Sequence, residues 1–169
     1  MNDEPMTALF AVYPNRAYAD AAVAHLRDVA SSSEAFVHGV AVVTKDLDGK
    51  VTAEEVGAQT GKRGLKRGAA IGAVVGVIFP PSILAASVAG AGIGGVIGHF
   101  KGDSDTHRKL QALAEHLDRG HTGVIVLVED AETDRVAERL VGYEKLHRVR
   151  LDRDTLTPTD ASETTTPPD

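Results

Sequence analysis

A chain of 169 residues with net charge −6, 43% hydrophobic and 25% charged residues fits one domain with room for an appendage, and can bury most of its apolar surface in one core. The acid excess argues against a broad appetite for nucleic acid, which needs clustered Lys and Arg. The absence of cysteine excludes disulfides, thiolate metal sites and thiol nucleophiles.

Residues 1–6 begin acidic and polar (Met1-Asn2-Asp3-Glu4-Pro5) and are expected to be a flexible N-terminus. A secretory signal would show a basic start followed at once by an apolar stretch, so none is read here. Residues 7–12 (TALFAV) are a short β-prone run ended by Tyr13-Pro14-Asn15 and predict a strand. Asn15 is a good N-cap for a helix over 16–30, in which Tyr18, Ala22, Leu26 and Val29 recur at helical spacing. Residues 36–44 (FVHGVAVVT) predict a second strand, and Asp48-Gly49 a hairpin turn into a third strand over 51–56.

After a central insertion, Ser104 or Asp105 is expected to cap a helix with the stripe Leu110, Leu113, Ala114 and Leu117, stopped by Gly120. Residues 122–128 (TGVIVLV) are the clearest strand. Asp130 is expected to cap a last helix with Val136, Ala137 and Leu140 inward, and 146–151 to form an edge strand. Residues 152–169, rich in Asp, Thr, Ser and Pro, read as a disordered tail. Without the insertion the order is β-α-β-β-α-β plus a trailing α-β. That predicts an α+β, ferredoxin-like domain over 7–151, with an antiparallel sheet and helices on one face. Such a fold argues for no particular function.

The insertion, 62–102, is the most informative part. Residues 68–100 contain no Asp, Glu, Lys or Arg, and His99 is their only titratable side chain. Gly64, Gly68, Gly72 and Gly76 are spaced by four, and so are Gly90, Gly94, Gly98 and Gly102, with Pro80-Pro81 between the two series. Period four puts each set on one helix face, and Pro cannot continue a helix interior. The pattern predicts a helical hairpin whose glycine faces admit a second helix backbone at close range. Each glycine costs a helix about 1 kcal/mol relative to Ala, so the hairpin must be covered by protein or by lipid. Lys62, Arg63, Lys66 and Arg67 precede it and Lys101 follows, a basic rim that suits both ends facing the cytoplasm with the turn dipping into or across a membrane. The same rim suits a soluble hairpin buried in an oligomer, because apolar runs of this length are ambiguous.

The first half of the chain (with Ala11, Ala17, Ala22 and Leu26), the VVTKDLDGKV stretch, the glycine hairpin and the closing GVIVLVEDAETDRV stretch together resemble the bacterial and archaeal family catalogued as domain of unknown function 1269. The resemblance runs over about residues 7–151 and is most specific at Asp48-Gly49-Lys50 and in the Gly-rich block. It implies a protein often described as membrane-associated, with no assigned activity and no catalytic residues to carry over. The Phe79-Pro80-Pro81 turn departs from the Gly-rich turn more usual in relatives.

Motifs of chemistry are weak. Residues 90–95 match GxGxxG but lie inside the period-four series, with no convincing strand before them. Residues 57–62 fall one residue short of a phosphate loop, and Arg63 stands where its Ser or Thr belongs. None of the seven histidines has the HExxH spacing of a zinc helix. Glu129, Asp130, Glu132 and Asp134 suit a helix N-terminus without further role. No catalytic, cofactor-binding or metal residue is therefore expected. The expectation is a non-enzymatic homo-oligomer, without nucleic acid or known small-molecule substrate, that contacts membrane lipid through its hairpin at the cytoplasmic face. Two alternatives stand beside it: a soluble structural or stress-type assembly, cytoplasmic in location, with the hairpins buried between subunits, and a regulatory domain that binds a small ligand.

Overall fold

A computed structural model describes residues 5–30, 37–56, 62–80, 83 and 103–152. The strands are β1 (Met6–Tyr13), β2 (Val37–Lys45), β3 (Val51–Glu55), β4 (Thr122–Glu129) and β5 (Lys145–Leu151). The helices are α1 (Arg16–Ala30), α2 (Lys62–Ile78), α3 (Ser104–Leu113) and α4 (Thr133–Arg139). The residues expected to be a flexible start (1–4 of 1–6) and a disordered tail (153–169) lie outside the described residues.

The five strands form one sheet in the order β3-β2-β4-β1-β5, every neighbouring pair antiparallel. The expected count made residues 51–56 its third strand. In the sheet, the place between β1 and β2 belongs to β4, and β3 lies on the edge beyond β2. The reason is local. The turn at Asp46–Lys50 is too short to do anything but fold β3 back beside β2. Gly49 adopts φ +88°, its N–H donates to the Asp46 carbonyl at 3.1 Å, and Lys50 N–H donates to the Asp46 carboxylate at 2.8 Å.

Helices cover both faces of the sheet, which corrects the expectation of one. On one face, α1 and α4 bury Ala19, Ala22, Val23, Leu26, Val136 and Ala137 against Leu9, Ala11, Val42, Val124 and Val126. On the other, α2 and α3 cover Ala8, Phe10, Val43, Val51, Ile125 and Leu127. Central strands enclosed in this way must be apolar at successive positions, and β1 is buried along its whole length.

Asn15 caps α1 as expected, accepting from Ala17 N–H at 3.0 Å and Tyr18 N–H at 3.3 Å. The inward stripe is Ala19, Ala22, Val23 and Leu26, spaced i, i+3, i+4, i+7. Tyr18, expected inward, falls one step off that stripe and is 56% exposed. The cap of α3 is Asp103 rather than Ser104 or Asp105. Its carboxylate accepts from Thr106 N–H at 2.9 Å, and its hydrogen bonding to Thr106 holds it below the usual carboxylate range. The α-helix ends at Leu113 and continues as a 3₁₀ turn, Ala114–His116. Gly120 (φ +82°) then turns the chain into β4, whereas it was expected to stop the helix. Asp130 does not cap α4 either. A 3₁₀ turn precedes that helix, and the Asp130 carboxylate accepts from the Thr7 hydroxyl at 2.6 Å and pairs with Arg150 at 2.8 Å.

Candidate functional site

Helix α2 is where the glycine series meets the sheet. Ile71, Val74, Val75 and Ile78 are each no more than 1% exposed and form one helical stripe against the sheet. The contact is close because β2 carries Gly39 beneath it. A Cβ on Gly39 would lie 2.7 Å from the Cβ of Ile71. Beyond the helix end, Phe79 sets its ring edge-on to Phe10, centroids 6.5 Å apart and planes at 62°. Phe10 in turn lies over Gly123 of β4, where a Cβ would come within 2.4 Å of the ring.

The opposite side of α2 carries Gly72, Ala73 and Gly76, all partly exposed. A Cβ built at Gly72 or Gly76 meets no atom within 4 Å among the described residues. Gly72 and Gly76 thus lie on the side of α2 away from the face fixed to the sheet. Gly64 and Gly68 belong to the same helix, as do Lys62, Arg63, Lys66 and Arg67, whose side chains lie outside the described residues. Pro80 follows the helix end, and its carbonyl accepts from Ile83 N–H at 2.8 Å, closing a turn. Pro81, Gly90, Gly94, Gly98, Gly102, Lys101, His99 and the GxGxxG stretch all lie outside the described residues. Among the described residues no helix is long and apolar enough to cross a membrane.

Several chemistry-bearing side chains elsewhere have structural partners. Glu129 pairs with His38 at 3.2 Å, Glu132 with Arg135 at 2.8 Å and Asp134 with Arg148 at 2.6 Å, which completes the acidic cluster around Asp130. His121 faces Glu144 at 3.3 Å. Among the described residues no group of three His, Asp or Glu could hold a metal ion. Tyr13 is fully buried, its hydroxyl has no hydrogen-bond partner, and burial, then the nearby Tyr143, pushes its pKa up to about 12.

Three contacts were not anticipated from the sequence: Gly39 under Ile71, Gly123 under Phe10, and the rings of His116 and His147, which stack. The glycines carried a signal, since an isolated Gly inside a strand pattern marks a close approach. The histidines carried none, because nothing local connects positions so far apart in sequence.

The family model described as "Protein of unknown function (DUF1269)" matches residues 66–159, more than half of the chain, from within α2 through β5. No curated protein and no solved structure matches the chain.

Proposed function

The chain belongs to the family of proteins of unknown function DUF1269, and from that premise we propose that it is a non-enzymatic protein that self-assembles through its Gly-rich insertion, with lipid contact confined to the surface of a membrane. The observation that carries this is the two-sidedness of α2: Ile71, Val74, Val75 and Ile78 held by the sheet, and Gly72 and Gly76 open on the other side. A glycine face costs helix stability of about 1 kcal/mol per residue and offsets that cost only when another backbone approaches it. The occupant is the second glycine series, from the same chain or from another copy, which makes the insertion the zipper hairpin that its spacing suggests. The sheet order supports a ferredoxin-like core made of β1-α1-β2 and β4-α4-β5, each unit enclosing a strand of the other, with β3 as an added edge.

Surface contact is favoured over a spanning hairpin for two reasons. Moving α2 into lipid would uncover Phe10, Val43, Val51, Ile125 and Leu127. At about 1.5–3 kcal/mol for each large apolar side chain, the loss is comparable with the whole stability of a domain, about 5–15 kcal/mol. Only residues 82–100 then remain for lipid. A single crossing would leave α3 on the far side of the bilayer, yet α2 and α3 share one core.

Vesicle flotation at neutral pH tests the lipid contact. The full chain should float with vesicles of mixed anionic and zwitterionic phospholipid and be released by high salt. Retention that only detergent reverses would overturn the surface placement. Failure to float at low salt would remove lipid from the account and leave the soluble assembly.

A further inference from the structure

His116 and His147 come from different elements and lie face to face, ring centroids 3.9 Å apart and planes 16° from parallel. His116 ends the 3₁₀ turn that continues α3. His147 sits on the edge strand β5, opposite Phe10 in register. Its Nε2 is shut off from solvent and has no hydrogen-bond partner, so either neutral tautomer leaves that atom unsatisfied.

On β5 the neighbouring charge is Lys145, held by Asp118 of the loop before β4 at 3.4 Å. On α3, Arg108 and Lys109 are exposed and tied to Asp105, His107 lies one turn before Leu110 and is partly buried, and Glu115 beside His116 is exposed. From β1 this face receives Met6, Ala8, Phe10 and Val12, and from α2 Ile71, Val74, Val75 and Ile78, none of them titratable.

We propose that the pair is a pH-sensitive clasp: with both rings neutral it fastens the end of α3 to β5, and a proton on His147 opens it, loosening the end of α3 from the sheet. Both ring stacking and the sealed Nε2 favour the neutral state. A proton on His147 makes the ring an imidazolium, which places a cation beside Lys145 and leaves a charged Nε2–H without an acceptor in the closed contact. Burial, then His116, then Lys145 hold the His147 pKa below its usual 6.5. The sign follows. The open form takes up the proton first, so the clasp is intact above about pH 6.5 and weakens as pH falls below it. Any consequence for assembly rests on the function proposed above, whereas the clasp itself does not.

Amide hydrogen exchange of the full chain at about pH 7.5 and about pH 5.5, corrected for intrinsic exchange, tests it. Protection of α3 should fall several-fold, up to about tenfold per pH unit for one coupled proton, while the centres of β2 and β4 keep theirs. His147→Phe keeps a flat ring without the proton and should abolish the pH dependence, whereas His116→Phe keeps the His147 proton and should retain it. The clasp is overturned if α3 protection is the same at both pH values, or if its loss persists in His147→Phe. Should that variant not fold, the NMR titration of His147 in the wild type decides: a pKa at or above 6.5 overturns the clasp, and one below it supports it. Oligomer size at the two pH values reports separately on assembly.

Discussion

Gly39→Ala is the sharpest perturbation of the seat of α2. The added Cβ would stand 2.7 Å from Ile71 Cβ, 3.1 Å from its Cγ2 and 3.3 Å from its Cγ1. The nearest atom is a Cβ, which no rotamer moves, and a β-branched side chain in a helix has essentially one χ1. Ordinary carbon–carbon contact is about 3.5–4.0 Å, so the helix must retreat by about 1 Å, and a gap of that size forfeits a quarter to a half of each dispersion well it opens. Overpacking of this kind costs about 1–3 kcal/mol. Replacing a strand glycine returns about 0.5–1 kcal/mol of backbone entropy, so the clash wins. The middle of those ranges leaves a net loss of about 1.25 kcal/mol, and at about 2–4 °C per kcal/mol for a chain of this size the midpoint should drop by roughly 2.5–5 °C. Urea unfolding followed by circular dichroism should show a lower midpoint with an unchanged slope. An unchanged or raised midpoint would mean that α2 does not rest on β2 at Gly39.

Other outcomes follow from the same packing. Phe79→Ala removes a ring that is 2% exposed and edge-on to Phe10, and should cost about 3–5 kcal/mol in the same urea experiment. Asn15→Ala removes the acceptor for two N–H groups at the start of α1 and should cost about 1 kcal/mol, with Asn15→Asp close to wild type. Tyr13 has its pKa raised from 10.0 to about 12 when folded, so the stability it contributes is full below pH 10 and is lost as pH rises toward 12. Tyrosinate absorbance should show one of the three tyrosines titrating late and together with unfolding, and a normal titration of all three would contradict its burial.

Much of the fold was legible from local pattern. The hairpin signal at Asp48-Gly49, the Asn15 cap and the edge strand at 145–151 all depend on residues within a few positions of each other. What local pattern missed was which strands pair. The unbroken apolar runs TALFAV and TGVIVLV did carry a clue, since a strand with one solvated face alternates. Both runs lack that alternation because β1 and β4 are the inner strands of a sheet covered on both sides. The orientation of α2 was half legible: glycines at period four defined a face, but only the sheet residues that meet Ile71 and Val74 show that this face points outward. The cap of α3 slipped by one residue because Asp103, Ser104 and Asp105 are all good caps, and the choice falls to whichever oxygen reaches the Thr106 N–H. The His116–His147 stack depends wholly on tertiary structure.

The outward glycine face as an assembly surface is tested most directly by sedimentation velocity of the full chain without detergent, beside Gly72→Leu/Gly76→Leu. A Cβ at either position meets no atom within 4 Å among the described residues, and circular dichroism checks that the variant is folded. The wild type should sediment as a defined oligomer and the variant as a smaller species. A monomeric wild type, or a folded variant of unchanged size, would contradict assembly through this face.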